Sequence, residues 1–225
     1  MPPIENIIKI SFGTEMIYSF VIIVCSLIIY FGTKEFYNLT GYKGINYFRR
    51  AFLFFAIAFL FGTFIKFLLV YFGINGVLNL SPRIIGFLAL FVFIYAGTMA
   101  SFYLVQSLWW KKLEWLSNHH YLLNLVAILL AIISVYYRNI WFLILINLVL
   151  FVFVVSAAFK GNKEQKIKGK SMSWIYVLLF IFWILNIYEI LIPNSLRWTQ
   201  LLVYLSSLGI FLTILYKVLK RVGAD

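Results

Sequence analysis

Two ionisable side chains, Lys66 and Glu189, lie inside long apolar runs of this chain. In a membrane each would cost about 2.5–3.5 kcal/mol to insert, so such groups mark function more often than ordinary charges do. Lys66 is about seven residues from one end of its run, roughly 10 Å deep at 1.5 Å per helical residue. Glu189 shares a helix face with Asn186, three residues earlier. In the last run Gln200, Tyr204 and Ser207 recur at i, i+4, i+7 and also share a face. Asn147 falls at comparable depth in another run. Together Lys66, Asn147, Asn186, Glu189, Gln200 and Tyr204 suit a polar cavity, with Lys66 and Glu189 paired or holding a zwitterionic ligand. The bland reading is that Lys66 snorkels, Glu189 sits at the interface and the amides glue helices together.

Other chemistries are excluded by what the sequence lacks. Its one aspartate is Asp225, the final residue, so no paired-aspartate protease or aspartate proton relay can be built. There is no His-Glu-x-x-His, no cysteine cluster and no glycine-rich phosphate loop. His119 and His120 are adjacent and diverge on a helix, so no metal and no cofactor are expected. Cys25 is a lone thiol inside the first apolar run and reads as a small buried side chain. No enzyme is expected.

The elements that must position these residues follow from composition. Of 225 residues, 64% are hydrophobic and 12% charged, about half the charged fraction of a soluble domain. Lipid is the solvent that accommodates such a surface. Seven runs reach the length needed to cross a bilayer as helices: Met16–Thr33, Phe48–Gly73, Ile84–Ser107, His120–Tyr137, Ile140–Phe159, Ser173–Ile192 and Trp198–Tyr216. The expected fold is therefore an all-α seven-helix membrane bundle, a single domain over residues 1–225 without a soluble domain. The beginning, Met-Pro-Pro-Ile-Glu-Asn, lacks a basic region, so the first run is expected to be a retained span.

Charge sets the orientation. Lys34, Lys43, Arg49, Arg50, Lys111, Lys112, Lys160, Lys163, Lys166, Lys168, Lys170, Lys217, Lys220 and Arg221 fall on one side; Lys9, Arg83, Arg138 and Arg197 on the other. The positive-inside rule makes the richer side cytoplasmic, N-terminus out and C-terminus in, in what is expected to be the plasma membrane. A net charge of +12 thus signals topology, not nucleic acid. Asn38-Leu39-Thr40, a glycosylation pattern, falls on the cytoplasmic side and is discounted. Lys160, Lys163, Lys166, Lys168 and Lys170 mark topology first; docking of a cytoplasmic protein or anionic lipid is the sharper alternative. Trp109, Trp110, Trp115, Trp141, Trp174 and Trp198 sit near span ends as aromatic belts, with Trp183 the exception. Gly97 and Ser101 form a small-xxx-small pair expected to bring two helices close.

Seven helices in this orientation invite comparison with retinal-binding rhodopsins. Lys217, the only lysine of the last run, lies at its cytoplasmic end, where no mid-span Schiff base could form. The stretch Tyr47-Phe48-Arg49-Arg50-Ala51-Phe52-Leu53-Phe54-Phe55 within seven spans resembles the membrane input regions of seven-helix sensors that precede prokaryotic histidine kinases. That resemblance implies a receptor whose output lies on a separate partner, because this chain has no kinase segment. Three functions stay open: a non-enzymatic receptor or sensor, a small-solute transporter or channel, and a structural subunit of a membrane complex. A transporter would need a polar path inward, for which only Thr98, Ser101, Asn124 and Ser156 are at hand.

Overall fold

Every described element is helical. The computed structural model describes residues 4–71, 82–110, 120–137, 170–191 and 197–222, with eight positions between 145 and 156; side chains are described over 13–64, 87–110, 121–137, those eight positions, 174–186, 188 and 198–220. The helices are α1 (Ile4–Thr40), α2 (Lys43–Tyr71), α3 (Pro82–Trp109), α4 (His120–Tyr137), α5 (Lys170–Leu191) and α6 (Arg197–Val222). Leu145, Leu148, Val149, Phe151, Val152 and Val154 to Ser156 are helical as well, inside the expected fifth span.

Four helical stretches are long and apolar enough to cross a membrane: Gly13–Thr40, Lys43–Phe64, Phe87–Trp109 and Trp198–Lys220. Tyr121–Tyr137 and Trp174–Asn186 are shorter apolar stretches of α4 and α5. Their outward faces are bare hydrocarbon. Leu125, Val126, Leu129 and Ile132 on α4, and Leu202 and Leu205 on α6, are all at least two-fifths exposed, as suits side chains solvated by lipid tails. The chain is an all-helical membrane protein.

Several helix boundaries differ from the expected spans, those at the first connection among them. The first connection was expected over residues 34–47, yet α1 runs on to Thr40 and α2 begins at Lys43. Hydropathy marks where lipid ends, whereas a helix ends where its backbone is capped. Here the cap is Gly41, at φ 62°, whose N–H donates to the Tyr37 carbonyl at 2.8 Å. Pro82 opens α3 at a first-turn position, where its missing N–H costs nothing.

Helix α1 packs on α2 and α6, α2 on α3, α3 on α4, and α5 on α6. Side chains close the arrangement across its middle. Phe48 of α2 and Ser107 of α3 both reach Tyr176 of α5. Trp183, the mid-span exception, stacks on Phe151 at 4.5 Å and so ties α5 to the 145–156 stretch. Contacts also fix which helix ends lie together. Arg49 meets Tyr30, Tyr42 meets Trp110, Ser107 meets Tyr176, and Lys217 lies over Trp174. The C-terminal ends of α1, α3 and α6 and the N-terminal ends of α2 and α5 therefore share one end of the bundle. Among described side chains that end carries Lys34, Lys43, Arg49, Arg50, Lys217 and Lys220, and it is called the basic end below.

The close helix approach expected at Gly97 is not found. A Cβ there would meet nothing within 4 Å among the described residues, and Ser101 instead donates to the Gly97 carbonyl of its own helix at 3.1 Å. Ser101 is buried, so α3 does pack on this side, but through side chains. The tight spot is Gly44 at the start of α2. A Cβ there would lie 2.9 Å from the Ser107 carbonyl oxygen and 3.1 Å from the Trp110 ring. Only glycine lets α2 begin so close to the end of α3.

Candidate functional site

Tyr18, Ile22, Cys25 and Ile29 recur at i, i+4, i+7, i+11 along α1, each at most 4% exposed. That stripe is the face α1 turns inward, and Tyr18 is its member farthest from the basic end. Its hydroxyl donates to Asn186 Oδ1 of α5 at 3.1 Å. The Asn186 Nδ2 donates in turn to the Phe182 carbonyl, one helical turn back, at 2.8 Å. The second bond fixes the amide plane, so its oxygen stays aimed at α1.

Tyr204 of α6 lies against the same tyrosine, with ring centroids 4.9 Å apart and planes inclined by 31°. Phe59 of α2 meets Tyr18 edge-on at 6.2 Å. One turn along α6 from Tyr204, Ser207 is 1% exposed and its Oγ has no hydrogen-bond partner among the described residues. Ser26 of α1 is left likewise, whereas Thr98, Ser134 and Thr213 return their hydroxyls to the carbonyl of the preceding turn. Ser207 does not, so a buried hydroxyl is left over beside the Tyr18–Asn186–Tyr204 group. Gln200, half-buried, lies one turn the other way from Tyr204.

Of the six residues expected to line a polar cavity, the structure joins Asn186 and Tyr204 through Tyr18 and places Gln200 next to them. Asn147 lies outside the described residues. Lys66 and Glu189 are on the described backbones of α2 and α5, with side chains outside the described set. Lys160, Lys163, Lys166 and Lys168 are outside it as well, and Lys170 is the first residue of α5. Sequence reasoning missed Tyr18. Its signal was the spacing of the buried stripe, which begins with a tyrosine where isoleucine or leucine would have served.

Toward the basic end from this polar group the interior is filled by rings. Phe59 meets Phe182 at 6.0 Å, Phe182 meets Phe211 at 5.0 Å, and Phe211 meets Phe52 at 6.1 Å. Phe52 then contacts Phe48 at 4.9 Å, and Phe48 contacts Tyr176 at 6.2 Å. At the basic end of this column the hydroxyls of Tyr176 and Ser107 are 2.6 Å apart, and Ser26 of α1 and Gln106 of α3 are further buried polar side chains. The groups considered for a polar path are already committed. Thr98 and Ser101 bond within their own helix, Asn124 accepts from Tyr95 at 2.7 Å, and Ser156 is exposed on the bundle's outside.

This chain has a relative of matching length. It is 28% identical over 230 residues to an uncharacterized protein of Archaeoglobus fulgidus, across 98% of this chain and 96% of that one. No family model matches. No solved structure matches. The alignment leaves almost nothing of either chain outside it.

Among the described residues no group of three or more His, Cys, Asp or Glu side chains could hold a metal ion. Among the described residues the Tyr18 group offers two phenols, an amide and a hydroxyl. Hydrogen-bond donors and acceptors beside aromatic faces, in a low-dielectric interior, interact more strongly than they would in water.

Proposed function

We propose that the protein is a seven-span receptor or sensor without enzymatic activity, its N-terminus outside the plasma membrane and its C-terminus in the cytoplasm. The fifth span, Ile140–Phe159, completes the seven, and the described residues within it are helical. The ligand seats in the outer half of the bundle against Tyr18, Asn186, Tyr204 and Ser207, with Gln200 above. Lys66 and Glu189 supply opposite charges at the cavity's rim, which suits a small zwitterion. The observation that carries this reading is the convergence of α1, α5 and α6 on one polar group above an unbroken column of phenylalanines. A binding seat needs the first; a channel or transporter is opposed by the second. As in the seven-helix sensor regions that the chain resembles, output would pass to a separate cytoplasmic partner, for which Lys160, Lys163, Lys166, Lys168 and Lys170 form the docking loop.

Purified protein screened by thermal unfolding against free amino acids and betaines tests the seat. At least one such zwitterion should raise the midpoint, and Asn186→Leu or the pair Lys66→Met, Glu189→Leu should abolish the rise. The same compounds should not cross protein-containing liposomes faster than empty ones. Protein-dependent flux would replace the receptor with a transporter. Unchanged ligand response in the Lys66/Glu189 variant would remove those two side chains from the site.

A further inference from the structure

Arg49 is a cation with too few partners. It lies in the second turn of α2 at the basic end and is 8% exposed. Its Nε donates to the Tyr30 carbonyl of α1 at 3.2 Å, and its guanidinium carbon stands 4.6 Å over the Tyr30 ring. Among the described residues these two contacts are its partners. The Nε edge is used, whereas the terminal nitrogens meet no acceptor among the described residues, and no carboxylate among them pairs with it. Glu35, five residues beyond Tyr30 on α1, is exposed and forms no ion pair with it.

A buried charge is costly unless something compensates it, and one carbonyl with one ring is little compensation. The surroundings add positive charge instead. Lys34 is one turn past Tyr30 on the same face of α1, and Lys43 and Arg50 flank Arg49 on α2. The Tyr30 ring and carbonyl hold the guanidinium plane fixed, so its free edge is presented as a rigid fork. Such a fork matches two oxygens of one phosphate, a geometry that lysine cannot reproduce. Depth points the same way. Phe48, its neighbour, is where the second apolar run begins, so Arg49 stands at the boundary between hydrocarbon and headgroups.

We infer that Arg49 is the seat of a phosphate-bearing anion in the cleft between α1 and α2, namely a glycerophospholipid headgroup from the leaflet at the basic end. This stands apart from the receptor reading, which concerns the opposite half of the bundle. The headgroup completes the guanidinium's hydrogen bonds while its acyl chains run along the exposed faces of α1 and α2.

The test uses the full chain in a maltoside detergent, which contains no phosphate. Phosphatidylglycerol, diacylglycerol and inorganic phosphate are titrated separately, with thermal unfolding and native mass spectrometry as readouts. Phosphatidylglycerol should raise the midpoint and leave one retained lipid per chain, and diacylglycerol should do neither. Arg49→Gln should weaken the apparent lipid affinity about tenfold or more, as loss of charge-assisted bonds implies, while Arg50→Gln changes it little. Should Arg49→Gln fail to fold, Arg49→Lys keeps the charge but loses the fork, and it should still weaken the lipid. Stabilisation by inorganic phosphate that phosphatidylglycerol does not increase would assign the same seat to a free anion and overturn the lipid. Equal lipid affinity in wild type and the Arg49 variants, an equal response to diacylglycerol, or no response to either phosphate source would overturn the site.

Discussion

A phenol removed from lipid and water alike must find an acceptor, and Tyr18 finds it on a helix 168 positions away in sequence. Cross-helix hydrogen bonds in membranes contribute about 0.6 kcal/mol on average, because the dissociated helices find other partners. A double-mutant cycle of Tyr18→Phe and Asn186→Leu should therefore give a coupling near 0.6 kcal/mol in reversible unfolding from detergent. The two single changes should differ. Asn186→Leu takes the Asn186 acceptor from the buried Tyr18 hydroxyl and should be the costlier change, by up to about 1–3 kcal/mol; Tyr18→Phe removes donor and demand together, and Asn186, half-buried, keeps its bond to Phe182. Additive effects would mean that the contact carries no energy. At this scale the sequence was partly legible. Asn186, Gln200 and Tyr204 stood out because amides and hydroxyls are uncommon in apolar runs and helical spacing told which faces they shared. Tyr18 did not, since it is one of 15 tyrosines and its partner is set by tertiary packing alone. Arg49 was visible as a charge but not as a buried one, because in sequence it looks like any arginine at a span boundary.

Glycines separate the helices that touch backbone to backbone from those that do not. At Gly44 an added methyl would press on the Ser107 carbonyl, part of a helix end that cannot swing aside. Gly44→Ala should therefore destabilise the protein by about 1–3 kcal/mol, as overpacking does. At Gly97 there is open space among the described residues, so Gly97→Ala should gain about 0.5–1 kcal/mol from the lower helical cost of alanine. Reversed signs, read by unfolding midpoint, would show that the α2–α3 contact is elsewhere. Small-xxx-small spacing reports what a helix could do, while the choice of face depends on the neighbour. Apolar length was the better guide to elements: residues 120–137, expected as one span, are helical throughout. The helical extension through residues 34–40 was hidden because those polar residues leave the lipid without leaving the helix.

On the scale of the whole bundle, the shared location of helix ends is the property that all functional readings need. The ring and cation contacts at the basic end place the last turns of α1 and α6 beside the first turns of α2 and α5. Side-chain contacts say which ends go together and nothing of which side of the membrane they face; that comes from the lysines and arginines, whose transfer across a membrane is resisted. Cysteine labelling joins the two. In a Cys25→Ala background, which removes a buried thiol at small cost in volume, single cysteines at Asn38, Lys163, Asn75 and Ser195 would be probed in intact cells with a reagent that cannot cross the membrane. Positions 75 and 195 should react and positions 38 and 163 should stay protected until the cells are lysed. Labelling at 38 but not 163 would require an odd number of crossings between them and break the seven-span threading. Labelling at both 38 and 163 with 75 and 195 silent would keep the bundle and invert it, which would turn the Tyr18 group toward the cytoplasm and leave an extracellular ligand no way to it.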